Sequence, residues 1–109
     1  MLTDAMKKEL ISGLLNLFPD NITMIILYGS VARNEATAES DVDIAIIMKK
    51  DMDEVIKNKF LCWSADMDLR YDKVFSIIDI KEENMKKWGK VLPFYQNVQK
   101  EGIVLWKAA

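Results

Sequence analysis

Histidine is absent from this chain of 109 residues, and Cys62 is its only cysteine. A disulfide within the chain is therefore excluded, and so is a zinc site built from cysteine and histidine ligands. The Ser-His and Cys-His pairs that activate many nucleophiles are excluded as well. Any catalysis by this chain must use carboxylates, hydroxyl groups, lysine, arginine or a bound metal ion.

A large excess of one charge is also lacking, since 15 basic residues stand against 17 acidic ones. This balance argues against a long nucleic acid held by a basic surface, although it leaves a single nucleotide open as a ligand. No run approaches the ~18 apolar residues of a membrane span. Residues 1–9 are too polar for a secretory signal, so we expect a cytoplasmic protein that does not contact a membrane.

The hydrophobic pattern predicts one α+β domain over residues 1–109. Half of the residues are apolar and 29% are charged, which is typical of a globular protein. The predicted strands are Ile22–Tyr28, 41–48, 74–80 and 103–106. The predicted helices are one capped by Thr3, a long one over 52–71, a short one over 81–87, and one from Pro93 to Gly102. We expect a small mixed sheet of about four strands with helices packed against it.

One segment has the pattern of a chemical site. The apolar strand 22–28 ends in Gly29-Ser30, and ten residues later the next strand opens with Asp41-Val-Asp43. Residues two apart on a strand point to the same face, so Asp41 and Asp43 should direct two carboxylates at one place. Mg²⁺ or Mn²⁺ suits such oxygen ligands and usually binds through one or two carboxylates together with phosphate oxygens of the substrate.

The glycine turn supplies groups suited to that phosphate. Gly29 lets backbone amides approach an anion closely, Ser30 adds a hydroxyl donor, and Arg33 could hold a phosphate through two hydrogen bonds. A Gly-Ser turn or an isolated Asp-x-Asp is more often ordinary turn chemistry than a binding site. Their combination at a fixed spacing between two apolar strands is far more specific.

This combination resembles the signature of the DNA polymerase β-like nucleotidyltransferase superfamily, and most closely its smallest branch, the minimal nucleotidyltransferases. The segment 92–104 is similar to the tail of many such proteins. The resemblance implies a mixed sheet with helices on one side, and transfer of a nucleoside monophosphate, AMP from ATP, to a hydroxyl group with release of pyrophosphate. It implies that Asp41 and Asp43 are the catalytic metal ligands and that Gly29, Ser30 and Arg33 bind the nucleotide.

One position departs from the pattern of the family, whose enzymes usually have a third carboxylate on the next core strand. We place Ser76 at that position. Asp79 lies three residues further and should face the opposite side of the sheet. The remaining aspartates nearby, Asp66, Asp68 and Asp72, are expected on a solvated face.

Minimal nucleotidyltransferases are commonly antitoxins paired with a small helical HEPN toxin, so the resemblance implies such a partner. Three alternatives remain open at this point: AMP transfer to that partner, neutralisation of the partner by contact alone after loss of efficient catalysis, and transfer to a small molecule. Association between copies of the chain is also left open. Cys62 is expected as a buried thiol, and Trp63, Trp88 and Trp106 are expected to be packing residues.

Overall fold

A computed structural model describes residues 2–33 and 41–109 of the chain, so most of the polar spacer between Ser30 and Asp41 lies outside the described residues. Within the described part are five helices and four strands. The helices are α1 (Asp4–Leu17), α2 (Gly29–Ala32), α3 (Glu54–Tyr71), α4 (Glu82–Trp88) and α5 (Pro93–Glu101). The strands are β1 (Ile22–Tyr28), β2 (Val42–Met48), β3 (Phe75–Lys81) and β4 (Ile103–Lys107). The predicted α+β architecture is confirmed.

The four strands form one mixed sheet in the order β3-β2-β1-β4. β1 runs antiparallel to both of its neighbours, and β2 runs parallel to β3. The carboxyl end of β1 therefore lies beside the amino ends of β2 and β3. This arrangement places Tyr28, Asp43 and Ser76 next to one another across three strands.

Helices cover both faces of the sheet, which corrects the expectation that they would lie on one side. On the α1/α3 face, Leu10 and Leu14 pack with Phe60 and Met67 against alternate residues of β1 and β2. The opposite face, the α4/α5 face, has a smaller core around Ile26, Ala45, Ile47, Ile80 and Val98. Burial of each large aliphatic side chain stabilises the fold by about 1.5–3 kcal/mol. The sheet is consequently covered on both faces, and among the described residues its edge strands are β3 and β4.

The helices begin where local chemistry favours them. The Met6 amide donates a hydrogen bond to Thr3 Oγ1 at the start of α1, and the Ile56 amide donates to Asp53 Oδ1 at the start of α3. These caps satisfy amides that the first turn leaves without partners. Because Asp53 caps α3, this helix begins at Glu54 and not at residue 52. Among the helices of residues 2–33 and 41–109, none has the length and apolar character needed to cross a membrane.

Three side chains of this region differ from expectation. Cys62 is exposed, because it lies on the side of α3 that faces away from the sheet. The apolar pattern did not reveal this, since α3 has apolar residues on that side as well. Asp68 is half-buried, and its Oδ1 accepts a hydrogen bond of 2.9 Å from the Phe75 amide, which fixes the start of β3. Trp88 is 38% exposed under the ammonium group of Lys87, whereas Trp63 and Trp106 pack against the core.

Candidate active site

The glycine turn and the second aspartate meet at the end of the sheet. Gly29 has a φ of +75°, a conformation that side chains other than glycine rarely adopt. A Cβ atom added to Gly29 would lie 2.3 Å from Asp43 Oδ2. Glycine is thus needed here for two independent reasons, the backbone angle and the space taken by the Asp43 carboxylate. Any phosphate bound along this turn would lie beside that carboxylate.

Asp43 is the electrostatic centre of this region. Partial burial raises the pKa of Asp43, the nearby Asp41 carboxylate raises it further, and the Arg33 guanidinium lowers it. Asp41 itself is exposed at the entrance to β2. Two neighbouring carboxylates of which one is partly desolvated are costly to ionise together, and a divalent cation between them would remove that cost.

Ser76 is the register partner of Asp43 on the parallel strand β3, so the two side chains lie next to each other on the α4/α5 face. Asp79 is paired with Ile46 and is exposed. Three residues beyond Ser76 on a regular strand, it belongs to the other face. In the described part of the chain, no three His, Cys, Asp or Glu side chains are grouped so that they could hold a metal ion. Among the described residues, Asp41 and Asp43 are the two carboxylates that act on each other beside the turn.

Two carboxylates fit the way in which Mg²⁺ binds when substrate phosphates complete its coordination. The absence of a side chain at Gly29 lets the Asp43 carboxylate lie against the turn, where a bound phosphate and a cation could share it. The residues present thus fit a divalent cation bound together with a nucleotide.

Arg33 lies at the end of α2, between α5 and the acidic pair formed by Asp41 and Asp43. Its Nη1 donates to Glu101 Oε2 at 2.9 Å, and its charge acts on Asp43. Both partners of the pair are partly exposed, at 41% for Arg33 and 38% for Glu101. An anion entering this region would compete with Glu101 for the guanidinium.

Sequence reasoning missed Tyr28 and Glu101. Tyr28 is the register partner of Asp43 on β1, and burial followed by the Asp43 charge raises the pKa of its hydroxyl. Its ring lies 5.8 Å from that of Phe94, so α5 borders the site with an aromatic surface. Tyr28 could have been found from its place at a strand end before the glycine. Glu101 could not, because it is 68 residues away from Arg33 along the chain.

Comparison with known proteins identifies the family. Residues 9–109 match the family described as Polymerase beta, Nucleotidyltransferase. The chain belongs to this nucleotidyltransferase family. Two relatives from Methanocaldococcus jannaschii are each described as a "Putative protein adenylyltransferase". The first is 38% identical over 91% of this chain and 93% of the relative. The second is 32% identical over 69% of this chain and 76% of the relative.

Solved structures show the same fold. A crystal structure of a toxin–antitoxin with AMP-PNP superimposes with a TM-score of 0.67 at 19% identity, over 94% of this chain and 73% of the other. A Shewanella oneidensis structure of a tri-AMPylated HEPN toxin in complex with MNT antitoxin gives a TM-score of 0.60 at 18% identity. That match covers 94% of this chain and 70% of the other. Because these sequence identities are low, the structural similarity shows that this nucleotidyltransferase shares its fold with these proteins.

The resemblance seen in the sequence is thus confirmed at the level of family and enzyme class. The mixed sheet of the nucleotidyltransferase brings the glycine turn to Asp43, and it puts a serine beside that aspartate.

Proposed function

We propose that this nucleotidyltransferase, a single domain over residues 1–109, transfers AMP from ATP to a hydroxyl group of a separate protein. The proposed acceptor is a small helical toxin of the HEPN type, which the transfer silences. Support comes from the two relatives described as protein adenylyltransferases and from the neighbour that contains a tri-AMPylated HEPN toxin. The main observation in support of the proposal is the close contact between Gly29 and the Asp43 carboxylate.

In the proposed reaction, the acceptor oxygen forms a bond to the α-phosphorus of ATP as the bond from that phosphorus to the bridging oxygen breaks. Pyrophosphate leaves with the electron pair, and the hydroxyl proton is lost to solvent or to a nearby carboxylate. Asp41 and Asp43 would hold the divalent cation, Mg²⁺ or Mn²⁺. When bound, such a cation neutralises charge on the phosphate oxygens of an in-line displacement.

The remaining residues bind and orient the nucleotide. The amides at Gly29 and the hydroxyl of Ser30 would contact the triphosphate, and Arg33 would hold a phosphate after leaving Glu101. These contacts position the α-phosphorus next to the acidic pair, and positioning supplies much of the rate enhancement in phosphoryl transfer. We further propose that the protein acts in the cytoplasm and binds neither long nucleic acids nor membranes.

A second candidate function is favoured by Ser76. With a hydroxyl where the family usually has a third carboxylate, the protein could neutralise its partner by contact and transfer AMP poorly or not at all. Because Ser76 is the register partner of Asp43, an acidic residue at position 76 would lie beside the Asp43 carboxylate. Partner binding without AMP transfer is the property that distinguishes this candidate.

The test is an assay with purified protein, labelled ATP, Mg²⁺ or Mn²⁺, and the partner toxin. We expect label on the toxin with the natural protein and none above background with Asp43→Asn. Asp79→Asn is the matched control, because Asp79 is exposed on β3 and lies on the other face. Tight toxin binding without any transfer would establish the contact function, and label on a small molecule without toxin would identify a different acceptor.

A further inference from the structure

Three aromatic rings lie in a row beside the candidate active site. The ring of Phe94 is 5.8 Å from that of Tyr28 and 5.7 Å from that of Tyr95. Because Tyr28 is the register partner of Asp43, the row begins next to the acidic pair. Phe94 is 41% exposed although it is a large apolar side chain. Packing within the described chain thus leaves part of this ring open to a ligand.

A pocket of about 270 Å³ opens between this row and strand β3. We call it the α5 pocket, and its apolar lining consists of Ile78, Ile80, Leu92, Phe94 and Tyr95. Asp79 also borders the pocket, but its side chain is directed to the other face of the sheet. Ile78 and Tyr95 pack on the core of the α4/α5 face, which fixes the floor of the pocket.

The α5 pocket is close enough to the acidic pair to hold another part of the same nucleotide. Ser76 lies beside Asp43 on the neighbouring strand, and Ile78 follows two residues later on the same face. Neighbouring strands are ~4.8 Å apart and two residues of a strand span roughly 6–7 Å, so Ile78 lies about 8 Å from Asp43. In a nucleotide, one ribose separates the α-phosphate from the base. A base in the pocket is therefore compatible with an α-phosphate at the acidic pair.

The lining of the α5 pocket determines which part of the nucleotide can enter it. Transfer of a charged phosphate from water to an apolar lining is costly. A planar base, in contrast, has π faces that stack on aromatic side chains. The pocket is smaller than the ~300–1,000 Å³ of sites that enclose a drug-sized ligand, so it suits a single ring system and not a whole nucleotide.

From the row of rings and the pocket beside it, we propose that the α5 pocket binds the purine base of the nucleoside triphosphate and that Phe94 stacks on this base. A purine is favoured over a pyrimidine because its fused rings offer a larger surface for stacking. The inference rests on the proposed function, since it concerns the nucleotide of that reaction. Helix α5 would then act on both ends of the nucleotide, because Phe94 at its start contacts the base and Glu101 at its end pairs with Arg33.

The first experiment compares a nonhydrolysable ATP analogue with inorganic tripolyphosphate by calorimetric titration in Mn²⁺. Tripolyphosphate has the phosphates of ATP without the base, so the ratio of the two dissociation constants isolates the nucleoside. We expect the analogue to bind the natural protein at least ~10-fold more tightly than tripolyphosphate. Phe94→Ala should remove most of this advantage and leave the affinity for tripolyphosphate unchanged. Phe94→Trp, which keeps an aromatic face, should retain the advantage.

Trp88→Ala is the matched control for these titrations. Trp88 is an aromatic residue of similar exposure, 38%, and it lies outside the set that lines the α5 pocket. An advantage that persists in Phe94→Ala, or an equal loss of affinity for both ligands, would overturn the proposal. If tripolyphosphate binds and the analogue binds no better, the base pocket is refuted while the proposed function stands. If neither ligand binds the natural protein, both proposals are refuted.

A second experiment asks whether the acceptor protein occupies the α5 pocket instead of the base. In the assay with labelled ATP and the partner toxin, Phe94→Ala should raise the KM for ATP and leave the KM for the toxin unchanged. A raised KM for the toxin, together with an unchanged affinity for the ATP analogue, would assign the pocket to the acceptor and overturn the proposal.

Discussion

At the scale of single residues, the candidate site depends on the contact between Gly29 and Asp43. Two features exclude a side chain at position 29. The backbone of Gly29 is left-handed, and an added Cβ atom would lie 2.3 Å from Asp43 Oδ2. Replacement by alanine should cost about 1–2 kcal/mol through the backbone alone, and should also displace the carboxylate.

We therefore expect Gly29→Ala to lower the free energy of unfolding by at least that amount and to abolish AMP transfer. Urea denaturation measures the first effect and labelled ATP the second. Ser30→Ala is the stability control, since the backbone there is helical. Unchanged stability in Gly29→Ala would contradict the structure at this turn.

Asp43→Asn should make the protein more stable at neutral pH while it removes activity. Burial and Asp41 raise the pKa of Asp43, so the folded state binds the proton more tightly than the unfolded chain does. The natural protein consequently loses stability as the pH rises through the pKa of folded Asp43, and asparagine does not. The difference in melting temperature between the two proteins should shrink as the pH falls toward 4, which scanning calorimetry measures. A difference that grows toward acid pH would contradict this sign.

Ser76→Asp should place a further negative charge beside Asp43. Like charges on directly opposed strand residues are destabilising, here by about 0.5–1 kcal/mol relative to the isosteric Ser76→Asn. The experiment is thermal unfolding of both variants in EDTA and in Mn²⁺. In EDTA we expect Ser76→Asp to melt at a lower temperature than Ser76→Asn. Mn²⁺ should reverse this difference in melting temperature. Equal melting temperatures of the two variants in EDTA would show that residue 76 does not face the acidic pair.

At the scale of elements, buried Asn21 joins the start of β1 to the chain after β2. Its Oδ1 accepts from the amides of Lys49 and Lys50 at 3.1 and 3.0 Å, and its Nδ2 donates to the Lys50 carbonyl oxygen. Asn21 is 6% exposed, so water could replace these bonds only in part.

Asn21→Ala should therefore lower the free energy of unfolding by about 1–3 kcal/mol, because three side-chain hydrogen bonds are lost and the Lys50 amide loses its acceptor. The Lys49 amide keeps its bond to the Asn21 backbone carbonyl. Asn16→Ala on the exposed side of α1 is the control and should change stability by less than ~0.5 kcal/mol. Denaturant unfolding of both variants checks this, and equal effects would refute the role assigned to Asn21.

The elements themselves were largely predictable from the sequence, because local patterns specify them. β1 is an almost uniformly apolar run between Asn21 and Gly29 and has the bounds that were predicted. The burial of Cys62 was predicted wrongly, since an apolar periodicity cannot distinguish the two sides of a helix that is apolar on both. In the site, the spacing indicated Gly29 and Asp43, but the pairing of Arg33 with Glu101 depends on tertiary structure and leaves no local signal.

At the scale of the whole molecule, the candidate active site lies at one end of the α4/α5 face of the sheet. Asp43, Ser76 and Tyr28 share the α4/α5 face at one end, and the aromatic ring of Phe94 borders them.

The central claim is that the acidic pair beside the glycine turn transfers AMP to a partner protein. The most direct measurement is the label incorporated into the purified toxin from labelled ATP and Mg²⁺ by the natural protein, Asp43→Asn and Asp79→Asn. We expect equal labelling by the natural protein and Asp79→Asn, and a loss of at least ~100-fold with Asp43→Asn. Labelling that survives in Asp43→Asn would contradict the account.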